Sequence, residues 1–523
     1  MRLRARLRRP VRSNFVNGPH VATLARRERG RGGARTYVLA TCGAAVLVAA
    51  ASSAIEVYGL ASEHLVRLQC WVLTLAGVWC LYSWKLSRGS WLHPSMLLWL
   101  AAFAFHGSLA VLEVVGLWGH PLVSSRFSIE TISRTLGLAT VCLMCLYLGA
   151  LLGTEPQPTR RIPSRDSGLD VPRARWLAAA LLLVSAVPAA RVLADSISLV
   201  NSSGYFALYQ ADSAVGFHAA QNVLAQFFVP AAFYVLALSG RNRAWVAVSL
   251  ACLLAYCAGT LYVGGRSPAA VIIVTTVWVL DRWIFRVPRS VMVAGALFLL
   301  AVFSVVAVVR NIPGRERATL DAMSRAFRAT DVPVVQSIKE AGGTVFVVAH
   351  IIDLVPDIRP FDWGTSYLFA FTAVIPNLFW DVHPLVSHGT PSQWLIQTVD
   401  PATARAGGGM GFSFIGEAYW NYGHAGAPFI VLALGFLWGR LCAWGDRDPN
   451  SLKIAFLASA VAMSLSLVRN DSTGAIRSLA WYCVPTYVLL RQASLKRPFS
   501  RQTSRVTSDD LRQRARFATG PLL

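Results

Sequence analysis

Twelve blocks of mostly apolar residues follow one another along the chain, at 37–59, 64–84, 96–118, 134–153, 176–194, 219–239, 244–263, 269–287, 291–309, 425–443, 452–468 and 475–491. Polar or charged connections separate them. A helix needs roughly 20 apolar residues to cross the hydrocarbon core of a bilayer, and a helix satisfies its own backbone groups there. The pattern predicts an all-α, polytopic integral membrane protein with about 12 transmembrane helices.

One connection is unlike the others. Residues 310–424 separate the ninth and tenth runs and read as a long extracytoplasmic loop containing short helices. Within it the apolar run 367–380 holds Pro376 and is too short for a crossing, which suits a re-entrant or interfacial helix. The expected organisation is a basic cytoplasmic tail (1–36), helices one to nine (37–309), the long loop (310–424), helices ten to twelve (425–491) and a second basic cytoplasmic tail (492–523). A second outer loop, 195–218, carries Tyr205 and Tyr209, and a very short one covers 264–268. No internal repeat is visible, and the long loop falls where a two-fold-repeated transporter would not put it.

Charge fixes the expected orientation. The 523 residues are 55% apolar and 14% charged, with mean hydropathy +0.49, so a soluble globule is excluded. Lys and Arg total 49 against 26 Asp and Glu, a net +23. The excess gathers in the two tails and in alternate short loops, as the retention of positive charge on the cytoplasmic side requires when both termini are inside. No aromatic platform is interleaved with the tail arginines, so the charge reads as a membrane-surface anchor and no nucleic-acid partner is expected. The first 36 residues are too long and arginine-rich for a signal peptide, and the first run is kept as a span. All nine cysteines lie in or at the end of apolar runs; Cys142-x-x-Cys145 reads as helix packing rather than redox or metal chemistry.

Polar residues that could carry chemistry collect at the outer ends of the runs. Gly407, Gly408, Gly409 and Gly411 give way to a predicted helix on which Ser413, Glu417 and Asn421 recur at i, i+4 and i+8, with His424 nearly in line. A carboxylate at the membrane boundary needs a partner or a wet cavity. Arg266 follows Gly264 and Gly265 at a span end, where a guanidinium can fork onto phosphate oxygens. Arg310 and Arg315 belong to a basic cluster just beyond the ninth run, followed by Arg325 and Arg328. Arg469 and Asp471 lie between the last two runs, with Arg477 just beyond, and could equally cap helices. Glu340, His350 and Asp353 are further proton acceptors, the last two on one helix face. No metal-binding motif is present: the D-x-D at Asp446 and Asp448 falls in a cytoplasmic turn.

Taken in order, Gly264-Gly265-Arg266-Ser267, Gly364-Thr365-Ser366-Tyr367 with Ile375-Pro376, the stretch from Ser413 to Gly426, and Arg469-Asn470-Asp471 before Trp481-Tyr482-Cys483-Val484-Pro485 resemble the O-antigen polymerases, or oligosaccharide repeat-unit polymerases, of bacterial envelopes. The resemblance covers the C-terminal half; the first 170 residues match only as hydrophobic spans. It implies a GT-C-like membrane glycosyltransferase in the bacterial cytoplasmic membrane. Such an enzyme joins polyprenyl-diphosphate-linked oligosaccharides at the outer face, with no cofactor and no metal. A chain-length regulator and a flippase are the protein partners it implies. Glycan transfer needs a base for the acceptor hydroxyl and cations for the departing diphosphate. Glu417 is the candidate base, and Arg266 and Arg310 are the candidate catalytic cations. Arg469, Asp471, Arg315, Asn421, Tyr419, Ser413 and His424 are candidates for substrate binding, with Trp420 and Tyr422 offering flat faces to sugar rings. Two other readings stay open from sequence alone: an O-antigen-ligase-like transferase, and a flippase or exporter of lipid-linked oligosaccharide.

Overall fold

The computed structural model describes residues 19–117, 119–154, 166, 168–209, 217–240, 242–309, 321, 324–325, 328, 333–375 and 388–495. Apart from loops and one isolated antiparallel bridge, between Leu169 and Leu495, these residues form helices, with no strand among them. Ten helices among the described residues are long and apolar enough to cross a membrane, or eleven if one bent pair counts as a single span. Most of the predicted runs reappear with shifted ends, and four differences have physical causes.

The third run is the bent pair. Pro94–His106 and Ser108–Val115 meet at 57° across Gly107, where a Cβ would sit 2.8 Å from the Phe103 ring. The fifth run continues as Val171–Ser203, nine residues beyond its predicted end at 194, because the polar segment after Ala194 stays helical as far as Gly204. The tenth begins at Phe414 rather than at 425 and absorbs the polar stripe into one helix, Phe414–Arg447, kinked at Gly423. The predicted twelfth span is helical, but in pieces: Ser472–Ser478, a π turn at Leu479–Cys483, and Val484–Ser494. With Arg477, Pro485 and Arg491 in its length, it is too polar to count with the ten. In the long interval before Phe412 the described residues form only short helices, namely Pro333–Gly342, Thr344–Leu354, Thr365–Thr372, Pro391–Val399 and Pro401–Arg405. Pro376 and residues 377–380 of the expected re-entrant run lie outside the described residues.

The helices divide into two compact units. The first comprises the described residues of Met1–Arg160, Ile338–Gly364 and Phe412–Trp444. Its centre is Ile129–Gly153, an almost wholly buried helix against which Pro19–Val57, Glu63–Arg88, Pro94–His106 and Thr344–Leu354 pack. A helix apolar all round is at home in such a position. Its C-terminal half meets Phe414–Arg447 through small residues on both sides. A Cβ on Gly149 would land on the Leu432 carbonyl oxygen, and one on Gly435 on that of Leu146. One on Gly153 would strike Phe436, and one on Gly439 would lie 2.7 Å from the Ala150 carbonyl oxygen. Two Gly-x-x-x-Gly faces, 149/153 and 435/439, therefore let the backbones touch, as small residues do between membrane helices. Trp438 Nε1 adds a bond to the Pro94 carbonyl (3.3 Å).

The second unit comprises the described residues of Arg161–Ser337, Thr365–Gly411 and Gly445–Leu523. Phe228–Leu238, buried at every position but Val229, is its core. Val171–Ser203, Arg243–Val263 and Ser451–Met463 pack around it. The last carbonyls of this core helix are taken by side chains, Trp283 Nε1 on Ala237 (3.0 Å) and Arg175 Nε on Leu238 (2.8 Å), which supplies partners that a helix C-terminus lacks. Asp166 receives the Ser451 N–H (2.8 Å) and hydroxyl (2.9 Å), tying the start of Ser451–Met463 to this unit.

Candidate functional site

In the first unit, the polar stripe of the sequence is a stack of buried bonds. Ser413 precedes Phe414–Arg447 and its Oγ accepts the N–H groups of Ile415 (3.2 Å) and Gly416 (3.1 Å), the usual service of a serine at a helix start. The same hydroxyl donates to His106 Nε2 at 2.7 Å. The tautomer follows from the other ring nitrogen: Nδ1 lies 2.9 Å from the Ala102 carbonyl, which can only accept, so Nδ1 carries the proton. Both side chains are fully buried. One turn on, Glu417 is 2% exposed, and its N–H donates to the Ser413 carbonyl (2.7 Å). A turn further, Asn421 is spent in two directions. Its Nδ2 donates to the Glu417 carbonyl (2.8 Å), and its Oδ1 accepts the Gly364 N–H (2.7 Å).

The helix breaks two residues later. Gly423 has φ 63° and ψ −166°, a conformation that belongs to glycine. The break leaves the carbonyls of Trp420 and Asn421 to accept from outside the helix, and the N–H groups of Asp362 (3.1 Å) and Trp363 (3.2 Å) take them. Trp363 and Gly364 are themselves left-handed, with φ 50° and 91°. A side chain on Gly364 would run into the Tyr422 hydroxyl. Tyr419 Oη donates to the Val355 carbonyl (3.0 Å), at the other end of the same loop. His424 falls beyond the break and out of register with the stripe; its ring stands edge-on to Tyr419 at 4.9 Å, and its Nε2 is buried with no hydrogen-bond partner.

The loop also brings in a cation that the sequence reading did not single out. Arg359 lies over the Trp420 ring, 4.7 Å from its centroid, and reaches Asp362 at 3.5 Å. Its signal was available: an arginine between Asp357 and Asp362, next to Phe361 and Trp363. His350 and Asp353, expected on one helix face, share one and turn to the start of Ile129–Gly153 and the segment just before it. Arg126 donates to His350 Nε2, and Thr131 Oγ1 to Asp353 Oδ1 (2.6 Å). Burial, helped by the Arg126 charge, pushes the His350 imidazole down to about 4.

In the second unit, Arg266 is the first residue of Arg266–Val279, after left-handed Gly264 (φ 106°) and Gly265. That helix packs against Ser451–Met463 and Leu465–Arg469, whose last residue is Arg469. Asp471 precedes Ser472–Ser478 without capping it; its carboxylate instead accepts the Ser392 hydroxyl at 2.7 Å. The glycine-rich stretch closes on the same place. Gly411 has φ 72°, and a Cβ there would lie 3.3 Å from the Arg469 carbonyl and 3.7 Å from its Nε.

The predicted site residues thus fall into two groups. Ser413, at the start of one helix of the first unit, and Glu417, Tyr419, Asn421 and His424 within it form one group, and Arg266, Arg469 and Asp471 belong to the second unit. Arg310 and Arg315 lie outside the described residues. Arg325 and Arg328 are exposed.

Fold and side chains together define a polytopic all-α membrane protein that keeps a buried acid and several arginines at helix ends. Residues 46–496 match the family described as O-antigen polysaccharide polymerase Wzy, and the chain belongs to that family. Its activity is the polymerisation of repeat units in O-antigen biosynthesis, on lipid-linked oligosaccharides in the membrane. No match is found among curated proteins or solved structures.

Proposed function

We propose that Glu417 is the base of the polymerisation and that Arg266, Arg310 and Arg469 hold the diphosphate that leaves. The reaction forms a glycosidic bond to an acceptor hydroxyl, whose proton passes to a carboxylate, while cations stabilise the charge growing on the departing diphosphate. The observation that carries the assignment is the stripe on Phe414–Arg447. Ser413 is committed to His106 and to the helix start, and Asn421 to Gly364 and the Glu417 carbonyl. Glu417 is the one acid between them. Two features support the arginines. Arg266 opens a helix behind two glycines, and that helix packs on the one ending at Arg469. Arg315, Asp471, Tyr419 and His424 are assigned to substrate binding, and Ser413 and Asn421 to holding the helix that presents Glu417.

The proposal includes an extracytoplasmic reaction with both termini in the cytoplasm, on the strength of the basic tails and short basic loops. The setting is the bacterial cytoplasmic membrane, with the interval 310–424 outside, and a flippase and a chain-length regulator as neighbours. Transfer proceeds without a divalent ion, the guanidinium groups taking its place.

The test is reconstitution with a lipid-linked repeat unit. Wild type should give a ladder of products with or without chelator, and Glu417→Gln, Arg266→Ala and Arg469→Ala should each leave single units. A ladder from Glu417→Gln would remove the base assignment, and loss of the ladder on chelation would remove the metal-free route.

A further inference from the structure

A second polar site lies in the first unit, away from the stripe. A cavity of about 210 Å³ is lined by Arg67, Trp71, Glu113, Gly116 and His120, with Val114 and Val115. It forms where Glu63–Arg88 begins and Ser108–Val115 ends at left-handed Gly116 (φ 73°). The carboxylate of Glu113 is wholly shielded and fully engaged. Oε1 accepts the Nδ1–H of His120 and Oε2 the N–H of Leu122, both at 3.0 Å. His120 holds this position in a left-handed conformation, φ 59°.

The cavity keeps one buried donor without a partner. Arg67 makes no hydrogen bond or ion pair among the described residues, and its Nε is buried without a partner. A buried donor left unmade is costly, and a guanidinium offers Nε and Nη as a fork that fits an oxyanion in bidentate fashion. Both Glu113 oxygens already accept a bond inside the protein, so the unpaired Arg67 donor is what the cavity offers a ligand, and a ligand with acceptor oxygens suits it. Trp71 stands one turn beyond Arg67 on the same face, half exposed. Both sit in the first turns of an apolar span, where tryptophan and arginine meet the headgroup layer.

We propose that this cavity binds the phosphate of a membrane lipid, with Arg67 forking onto its oxygens and Trp71 lying along the start of its acyl or prenyl chain. The chemistry, a phosphate oxyanion, could also be met by free phosphate; the apolar span and Trp71 favour the lipid.

The experiment is native mass spectrometry of the full chain released from mixed micelles. The micelles contain phosphatidylglycerol or diacylglycerol, with inorganic phosphate added in a parallel series. Wild type should retain phosphatidylglycerol and not diacylglycerol. Arg67→Gln should retain roughly tenfold less, as loss of a charge-assisted contact implies, and exposed Arg173→Gln should match wild type. Equal retention by Arg67→Gln, or none by wild type, overturns the proposal. So does a rise in unfolding temperature with inorganic phosphate alone and no retained lipid, which would identify a free anion. If Arg67→Gln does not fold, Trp71→Ala and the wild-type comparison of the two lipids decide the matter.

Discussion

The backbone N–H of Gly364 donates to Asn421 Oδ1 at 2.7 Å, so two motifs separated by more than fifty residues in sequence meet in one buried bond. Around it, the carbonyls freed by the break at Gly423 take two further N–H groups from the same loop. Asn421→Ala should leave the Gly364 N–H without its partner and cost about 1–3 kcal/mol. Thermal unfolding in detergent should show a lowered midpoint. An unchanged midpoint would mean that the loop does not depend on this contact.

Gly149 and Gly435 make a sharper case, because what they approach is backbone and cannot rotate away. Gly149→Leu or Gly435→Leu should separate the central helix of the first unit from Phe414–Arg447. The expected loss is about 1–3 kcal/mol or more, as for overpacking generally. Gly43→Leu is the control, since a Cβ there meets nothing within 4 Å. Equal expression and stability of all three variants would argue against the contact.

Ser413→Ala removes the acceptor for two helix-start N–H groups and the donor to His106 together. A cap alone is worth about 1 kcal/mol. The variant should be less stable and, if the helix presents Glu417 as proposed, slower in turnover, while Ser413→Thr recovers most of both. Turnover falling without any recovery in the threonine variant would point to a chemical role for the serine hydroxyl instead.

His350 gives a pH signature. Its Nε2 accepts from Arg126 and must be unprotonated, and burial holds its value down to about 4 from the ordinary 6.5. A depressed folded value means that its contribution is present above about pH 6.5 and is lost as pH falls through about 4. Acid should therefore weaken the fold across that window. His350→Gln keeps an acceptor that does not titrate, and its stability should vary less between those limits. The same slope in both proteins would assign the effect to another group.

The spans were legible because each one is an apolar block of bilayer length, and composition alone makes such a block a helix. The stripe Ser413, Glu417, Asn421 was legible because its period is that of a helix. His424 shared the period but not the fate, since Gly423 takes up a conformation that no periodicity reveals. The predicted twelfth span is helical but does not count with the ten, because Arg477, Pro485 and Arg491 interrupt its apolar residues. The facing glycines 149/153 and 435/439 stood in the sequence as two Gly-x-x-x-Gly pairs, but pairing them needs to know which helices are neighbours. Arg359 and Glu113 were hidden similarly. Each is one charge among many until the fold sets it beside Trp420 or His120.

The break at Gly423 has a mechanical corollary. Three bonds from 362–364 and a fourth from Tyr419 to Val355 stitch the short rod 414–422 to the strap 355–364, while the remainder of the helix is keyed by glycines to the central one. Rod and strap are therefore one bonded body, set off from the rest of the helix at a single residue, and the strap that carries Arg359 is fixed to the rod that carries Glu417.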